Sequence, residues 1–429
     1  MKSNVNNTNK MTYTLPIVLV CIYTFTRGGA ALLLSNTIWT IVLFFFLLCS
    51  FFNLTQNSSV KCNNETALVV LMIGIILCWN NQDFAHGTWF TDYIIIVYMF
   101  FLLLAMKTDR WMETAFRMML VMGVFHMIMT LLCFAFPSVF TNIVYPIVQP
   151  ITIFDLKAMY NKGIIMGFNY SNSQDAIYLA MGIMTLICSF MFSNKKEKKY
   201  KNTYVILILL FMIALLLTGK RGPILWLFLA FVWTYYVYNC NKKLERWFKI
   251  LSIILLIVGL IYIGSFFIPG LMNFINRFSE QIEAGDISSS RFELWEMGWN
   301  EFKNKPIFGH GWFWFKYNNS FGTIFNVHNC YIQWLCELGI IGSLPFFAFT
   351  VSTYIRNIKL IKMIRLGYLN VNSRQMRNLA FSLMYQTYFV VFCFAGTSFY
   401  EPETLLPWIF SCGMVTFYWH DLYINNCDK

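Results

Sequence analysis

The chain has 429 residues, of which 58% are hydrophobic and only 12% are charged, and its formal net charge is +12. Soluble domains carry about 25% charged residues, so this composition excludes an ordinary soluble protein and indicates a membrane protein. The basic residues lie between apolar segments and form no basic domain, which argues against nucleic-acid binding. The twelve cysteines include no CxxC pair, so we expect neither a disulfide framework nor a zinc site.

Apolar segments of about 20 residues, the length that crosses a bilayer as a helix, follow one another along most of the chain. We therefore predict an all-α polytopic membrane protein that forms a single integral membrane domain over residues 1–429. About twelve transmembrane helices are expected, near residues 11–27, 33–52, 66–80, 89–106, 112–136, 175–193, 203–219, 223–239, 249–269, 329–355, 378–398 and 404–420.

The distribution of lysine and arginine predicts the orientation of these helices. With the N-terminus inside, the inner connections hold 21 basic residues, including the run from Lys195 to Lys201, and the outer connections hold ten. Basic residues concentrate on the cytoplasmic side of membrane proteins. Both termini are therefore predicted to be cytoplasmic, and the large loop of residues 270–328 is predicted to face the periplasm or the cell exterior.

This loop is the one long, partly polar interruption of the apolar pattern. Ser290 begins a Ser-x-x-Glu capping box, which predicts a short helix from Arg291 to about Phe302. Arg291 and Trp295 would share one face of that helix, where the planar guanidinium can bind a diphosphate with two hydrogen bonds. The alternative is an amphipathic helix on the membrane surface whose arginine reaches lipid headgroups. Both descriptions can hold for an enzyme that handles a lipid-linked substrate.

Lys220 and Arg221 are two further cations on the predicted outer face, at the end of a helix. Gly219 and Gly222 flank them, and glycine lets the backbone approach a ligand closely. Pro223 suits the first turn of the helix that follows. The alternative is a tight turn whose cations reach lipid headgroups. Because the inside bias of basic residues does not explain these outer cations, we predict that they bind an anion.

His328 is the candidate base among the five histidines. It stands at a predicted helix N-terminus beside Asn329, and nearby cations and the helix dipole both lower the pKa of a histidine. A lowered pKa keeps the ring neutral and able to accept a proton. His310, between two glycines of the same loop, is its rival. The other histidines are His86 in a short outer loop, His126 within a span and His420 near an inner end.

Taken together, these residues resemble the signature of the O-antigen ligase and O-antigen polymerase superfamily. The similarity lies in Arg291…Trp295…Pro306-x-x-Gly309-x-Gly311, in His328-Asn329-x-Tyr331…Glu337-x-Gly339-x-x-Gly342, in Thr218-Gly-Lys-Arg221-Gly and in Gly167-Phe-Asn-Tyr-Ser-Asn172. The chain departs from the family at Lys220, where a small residue is common, and at Ser171 and Ser173, where Pro-Asn is usual around the asparagine.

The resemblance implies a membrane glycosyltransferase with a GT-C-like fold that needs no metal or other cofactor. Its donor would be a glycan on undecaprenyl diphosphate, presented at the outer leaflet of a bacterial inner membrane. Carried onto this chain, Arg221 and Arg291 would bind the diphosphate, and His328 would deprotonate the acceptor hydroxyl for in-line attack with inversion. The substrate-binding residues implied in the same way are Lys220, Asn329, Tyr331, Trp295 and Asn172.

Within the superfamily we favour a polymerase that joins lipid-linked repeat units, because nothing in the sequence is specific to a lipopolysaccharide acceptor. The alternatives are a ligase that transfers the glycan to lipid A core and a ligase that acts on protein hydroxyls. A flippase or glycan transporter is a third possibility, although the one-sided loop and the lack of internal repeats argue against it. The expected partners are the lipid-linked oligosaccharide and the bilayer, with a flippase and a chain-length regulator as further candidates and no nucleic acid.

Glu401 and Glu403 form an acidic pair on the predicted outer face. Two carboxylates at this spacing can hold a cation, but we expect a solvated pair at a helix end. The chain also has no Asp-x-Asp motif of the kind that binds a metal-bound nucleotide sugar.

Overall fold

The computed structural model describes residues 64–78, 109–151, 155–169, 171–193, 198–242, 291–320 and 325–424, together with isolated positions between residues 17 and 41. Within these ranges the regular structure is helical and contains no strand, which confirms the all-α prediction. The α-helices are α1 (Asn64–Cys78), α2 (Arg110–Ala135), α3 (Pro137–Val139), α4 (Tyr145–Val148), α5 (Leu156–Asn161), α6 (Asn172–Met191), α7 (Lys201–Leu217), α8 (Arg221–Tyr238), α9 (Arg291–Asn304), α10 (Trp314–Asn318), α11 (Cys330–Arg365), α12 (Ser373–Cys393) and α13 (Pro402–Tyr418).

Eight of the twelve predicted spans coincide with described helices, namely α1, α2, α6, α7, α8, α11, α12 and α13. The spans predicted at 11–27, 33–52, 89–106 and 249–269 lie outside the described residues, apart from isolated positions. Among the described helices, three are long and apolar enough to cross a membrane by length and composition: Trp111–Ala135, Asn172–Met191 and Cys330–Arg365. The total number of spans and the GT-C-like fold remain predictions.

Helix α6 lies at the centre of the described bundle. It packs against α2, α7 and α12, and its side chains are buried along almost its whole length. Helices α2, α7 and α11 instead leave large apolar side chains exposed, including Val121, Leu209 and Leu344. Long helices with exposed apolar surface are suited to contact with lipid, because their own backbone hydrogen bonds are satisfied internally. The helices therefore indicate a membrane protein.

Helix α11 differs from the single straight span predicted at 329–355. Its backbone is non-helical at Gly339, where φ is 65° and ψ is −171°. The amides of Ile340 and Ile341, freed by this break, donate to the carbonyl oxygens of Pro306 at 2.9 Å and Ile307 at 3.2 Å. Backbone donors away from water need such partners. The large loop therefore supplies the hydrogen-bond acceptors that stabilise the break in α11.

The basic segment after residue 355, predicted as an inner connection, continues α11 as far as Arg365. The guanidinium of Arg356 lies 5.3 Å from the ring centre of Trp419. Arg365 lies 4.2 Å from the ring centre of Tyr238, and its Nε donates to the Tyr238 carbonyl at 2.9 Å. The helix therefore continues past the predicted span, and its basic side chains lie against aromatic rings, which stabilises their charges.

Candidate functional site

The basic turn of residues 218–221 connects α7 to α8. Gly219 has a φ of 67°, a left-handed conformation that glycine adopts without strain. The backbone N–H of Lys220 donates to the hydroxyl of the buried Thr218 at 3.3 Å, and α8 begins at Arg221, which places Pro223 in its first turn as the sequence predicts. Cations are unfavourable at a helix N-terminus, where the unpaired backbone amides carry partial positive charge. Lys220 and Arg221 together with these amides therefore favour an anionic ligand.

A second polypeptide segment supports this turn from the start of α6. The side-chain amide of Asn172, the first residue of that helix, donates to the Thr218 carbonyl oxygen at 3.1 Å. Three residues further on, the buried Asp175 accepts hydrogen bonds from the backbone of Gly167 and from the ring of His126. Asn172, predicted to bind substrate, is 7% exposed and braces the basic turn. Its contact with a substrate remains a prediction.

His328 lies between α10 and α11, two residues before α11 begins at Cys330, and its backbone has a φ of 54°. Non-glycine residues adopt this left-handed region at a cost of about 1–2 kcal/mol. Burial lowers the pKa of the His328 ring to about 4, with the positive charges of Arg291 and Lys220 adding to the shift. The ring is therefore neutral near pH 7, as the sequence predicts for a proton acceptor.

Arg291 and Trp295 lie on α9, which covers Arg291–Asn304 as predicted for this part of the loop. Ser290, the first residue of the predicted capping box, is outside the described residues. The indole nitrogen of Trp295 donates to the carbonyl oxygen of His328 at 3.3 Å, so α9 fixes the His328 segment directly. Burial lowers the pKa of the Arg291 guanidinium from its ordinary value, although arginine stays charged at any pH of interest.

Cations from two distant parts of the chain thus act on one histidine. Lys220, from the turn before α8, and Arg291, from the large loop, both act electrostatically on His328. Arg221 follows Lys220 as the first, partly buried residue of α8. A neutral histidine among such cations can take a proton once an anion balances the local charge. This arrangement suits a reaction in which an anionic group departs while a hydroxyl is deprotonated.

Asn329 and Tyr331, both predicted to bind substrate, make internal contacts at the start of α11. The Asn329 side chain accepts from the backbone amides of Tyr331 and Ile332 at 3.1 and 3.2 Å, so it is the N-cap of α11. The Tyr331 hydroxyl donates to the carbonyl oxygen of Val390 at 2.9 Å, and its ring lies against Phe394. Both side chains fix the helix that follows His328, and their contact with a substrate remains a prediction.

His310, the rival histidine, is held by its own segment of the loop. Its ring stacks on Trp314 with the ring centres 4.0 Å apart. Its Nε2 lies 3.0 Å from the carbonyl oxygen and 3.4 Å from the carboxylate of Glu301. Because these contacts occupy the ring, His310 serves the packing of the loop. His328 is the histidine on which Arg291 and Lys220 act electrostatically.

The glycines of the loop motif are explained by a close backbone approach between Gly309 and Gly339. Gly309 has a φ of 67° and Gly339 a φ of 65°, and a Cβ on either would lie 2.6 Å from the backbone nitrogen of the other. The amide of Gly311 also donates to the carbonyl oxygen of Glu337 at 2.8 Å. We call this contact between residues 306–311 and the break in α11 the glycine clasp. It joins the large loop to α11, the helix that begins two residues after His328.

The acidic pair Glu401 and Glu403 is not the solvated pair expected from the sequence. Glu403 is 1% exposed and accepts from the side-chain amide of Gln174 at 3.0 Å. Glu401 accepts from the Thr397 hydroxyl at 2.6 Å. Burial raises the pKa of the Glu401 carboxyl to about 7; Glu403 adds to the shift, whereas the Thr397 hydrogen bond and Lys220 oppose it. The expectation was wrong because α6 covers this helix end, and the acidic pair borders the cationic site.

Three buried polar residues escaped the sequence reasoning as site components: Gln333, Glu337 and Tyr400. Glu337 is fully buried and accepts from Gln333, from Tyr400 and from the backbone of Phe313. Its place in the Glu-x-Gly-x-x-Gly motif was the available signal, because a carboxylate inside an apolar helix calls for partners. Among the described residues, no group of three or more His, Cys, Asp and Glu side chains is arranged to hold a metal ion.

The comparison with known proteins agrees with this geometry. Residues 204–347, which are 144 of the 429 residues, match the model of the family described as O-antigen ligase. The matched range contains the basic turn, α9, His328 and the glycine clasp. A search of curated proteins finds no match to the chain. The family match confirms the resemblance to the O-antigen ligase and polymerase superfamily.

Proposed function

We propose that this chain, whose residues 204–347 match the O-antigen ligase family, is a surface-polysaccharide polymerase. It would join oligosaccharide repeat units carried on undecaprenyl diphosphate at the outer face of a bacterial inner membrane. The observation that carries the proposal is the hydrogen bond that sets α9, with Arg291 at its start, against the partly buried His328, whose neutral ring is also affected by the charge of Lys220. The family match supports both polymerisation and ligation, and the choice of polymerase rests on the absence of a recognisable lipopolysaccharide-binding element in the sequence.

In the proposed reaction, the acceptor hydroxyl oxygen attacks the anomeric carbon of the donor glycan. The bond from that carbon to the diphosphate oxygen breaks, and the diphosphate leaves with the electron pair. Arg221, Arg291 and Lys220 would stabilise the charge that develops on the leaving group, since preorganised cations in a water-poor site are worth most there. His328 would take the hydroxyl proton, and attack from the opposite side would invert the anomeric carbon.

The low pKa of His328 fits this sequence of events. Burial and the neighbouring cations both disfavour a positive charge on the ring, so without an anion beside it His328 is a weak base. A bound diphosphate would bring negative charge between those cations and raise the pKa of the ring. His328 would therefore become a better proton acceptor only when the donor is in place, which protects the site from unproductive protonation.

The catalytic test compares His328→Ala with His310→Ala in purified enzyme supplied with lipid-linked repeat units. Loss of general-base help costs about 10²–10⁴ in rate, so His328→Ala should lose polymer formation while donor binding persists. His310→Ala is the matched control, because that ring packs on Trp314 and Glu301 within the loop. Wild-type turnover in His328→Ala would remove this residue from the proposed mechanism.

The choice between polymerase and ligase is tested in a deletion strain by gel analysis of the surface polysaccharide. A single repeat unit on the lipid A core is expected for loss of a polymerase. Accumulation of lipid-linked polymer that never reaches the core would instead identify a ligase. Complementation with the wild-type chain and with His328→Ala assigns the phenotype to the proposed site.

A further inference from the structure

Glu337 is the centre of a buried hydrogen-bond network that reaches the His328 segment. One carboxylate oxygen accepts from the backbone N–H of Phe313 at 3.0 Å and from the Tyr400 hydroxyl at 2.9 Å. The other oxygen accepts from the side-chain amide of Gln333 at 3.0 Å. Both oxygens therefore accept from an N–H group. The three donors belong to the large loop, to the turn before α13 and to α11 itself.

Gln333 extends this network to the residues that precede His328. Its amide nitrogen donates to Glu337 and also to the side-chain oxygen of Asn326 at 3.1 Å. Its oxygen accepts from the backbone N–H of Val327 at 3.3 Å. This orientation uses both amide hydrogens and the oxygen, whereas the flipped amide would turn its hydrogens toward the Val327 N–H. Glu337 therefore selects the orientation of Gln333 that anchors Val327.

The His328 backbone is held on both sides of its left-handed conformation. Gln333 holds the preceding residue, the indole of Trp295 donates to the His328 carbonyl oxygen, and Asn329 caps α11 immediately after it. A strained backbone persists only where its surroundings determine it, and such positions gather at functional sites. Of these three contacts, only that of Gln333 depends on a buried carboxylate, which is that of Glu337.

We propose that Glu337 is a positioning residue that acts through Gln333 to fix Val327 and thereby the orientation of the His328 ring. The inference rests on the proposed function for its catalytic consequence. Glu337 does not contact the reacting atoms in this scheme, because its oxygens are already occupied by Phe313, Tyr400 and Gln333. Its task is to keep the proton acceptor aligned with the acceptor hydroxyl.

The substitution Glu337→Gln tests the network with almost no change of shape. The new amide nitrogen must replace one of the two accepting oxygens and so faces an N–H donor. If it faces Gln333, that side chain has to flip, and the Val327 N–H loses its acceptor. A displacement of about 1 Å of a catalytic group costs on the order of 10²-fold in rate. We therefore expect a lower kcat with an unchanged KM for the lipid-linked donor, because Lys220 and Arg291 remain in place.

The swapped double variant Glu337→Gln with Gln333→Glu supplies a specific rescue. The amide nitrogen of the glutamine at position 337 can donate to the new carboxylate at 333, while its oxygen accepts from Phe313 and Tyr400. The carboxylate at 333 accepts from Val327 and, after a flip of the Asn326 amide, from that side chain. Every donor again meets an acceptor, so the swap should restore most of the kcat that the single variant loses.

The readout independent of activity is hydrogen–deuterium exchange of the full-length protein in detergent, measured on a peptide covering residues 325–332. Exchange in this peptide should rise in Glu337→Gln and return toward wild type in the swapped variant. Tyr400→Phe removes one donor and is a milder second variant, with a smaller rise expected in the same peptide. Glu296→Gln, an exposed glutamate on α9, is the matched control and should leave exchange and turnover unchanged.

Unchanged exchange of this peptide in Glu337→Gln and in Tyr400→Phe would overturn the positioning role, whatever the activity of the protein. Failure of the swap to restore kcat, with exchange restored, would also overturn it. If the wild-type protein does not turn over lipid-linked repeat units at all, the proposed function falls. The exchange measurement would still decide whether Glu337 holds the His328 segment.

Discussion

The glycine clasp can be tested by adding one methyl group to Gly309. In Gly309→Ala the new Cβ would overlap the backbone carbonyl of Glu337 and lie 2.6 Å from the backbone nitrogen of Gly339. Neither neighbour can turn away as a side chain would, because both belong to the main chain. The control is Gly367→Ala, after the end of α11, where φ is also positive at 85° and nothing lies within 4 Å of the new Cβ.

The two variants separate the cost of the backbone conformation from the cost of the overlap. An alanine in the left-handed region costs about 1–2 kcal/mol, and this cost applies at both positions. Overpacking in a close-packed interior adds about 1–3 kcal/mol, and it applies only at Gly309. We therefore expect Gly309→Ala to be destabilised by roughly 2–5 kcal/mol and Gly367→Ala by roughly 1–2 kcal/mol.

The assay is thermal unfolding of the purified protein in detergent, followed by tryptophan fluorescence with all variants in one buffer. Gly309→Ala should unfold at a lower temperature than Gly367→Ala. Adding Gly339→Ala to Gly309→Ala should cost less than the two single effects together, because both methyl groups widen the same contact. Equal midpoint temperatures of unfolding for Gly309→Ala and Gly367→Ala would refute the close approach of Gly309 to Gly339. They would also refute the explanation given for the glycines of the loop motif.

Three further predictions concern the cations and the membrane. Arg291→Ala should abolish polymer formation. Arg291→Lys should restore it only in part, because an ammonium group lacks the planar guanidinium that makes two parallel hydrogen bonds. Full turnover in the alanine variant would exclude a contact between Arg291 and the diphosphate. Because the pKa of Glu401 is raised to about 7, its carboxylate should ionise between pH 6 and 8 and compete with the donor for Lys220. The donor KM should therefore rise with pH in this range, and Glu401→Gln should flatten the rise; an identical pH profile in that variant would contradict the coupling. A cysteine replacing the exposed Asn318 should react with an impermeant reagent added from the outside. A cysteine replacing the exposed Ser373 should react only after permeabilisation, and the reverse pattern would invert the predicted orientation.

Much of this fold could be predicted from the sequence because its signals are local. Apolar runs of helical length predicted eight of the described helices, namely α1, α2, α6, α7, α8, α11, α12 and α13. The Gly-Lys-Arg-Gly-Pro pattern predicted a turn followed by a helix with Pro223 in its first turn, and the polar pair before α11 predicted an N-terminus there. Asn329 caps that helix, and the pKa of His328 is lowered as expected, by burial first and by the cations in addition. The family resemblance rested on the same local motifs.

The partners of the polar groups followed from the tertiary structure alone. Glu403 meets Gln174 across 229 positions of the chain, and Tyr400 meets Glu337 across 63, so no local pattern could indicate which partners these carboxylates have. Apolar burial is nondirectional and depends mainly on composition and helical period, whereas a hydrogen bond needs two atoms at one distance and angle. The sequence therefore determined which segments are helical and which residues carry charge. Only the packing of α6, α8, α9 and α11 decided that the charges of Lys220 and Arg291 act on His328.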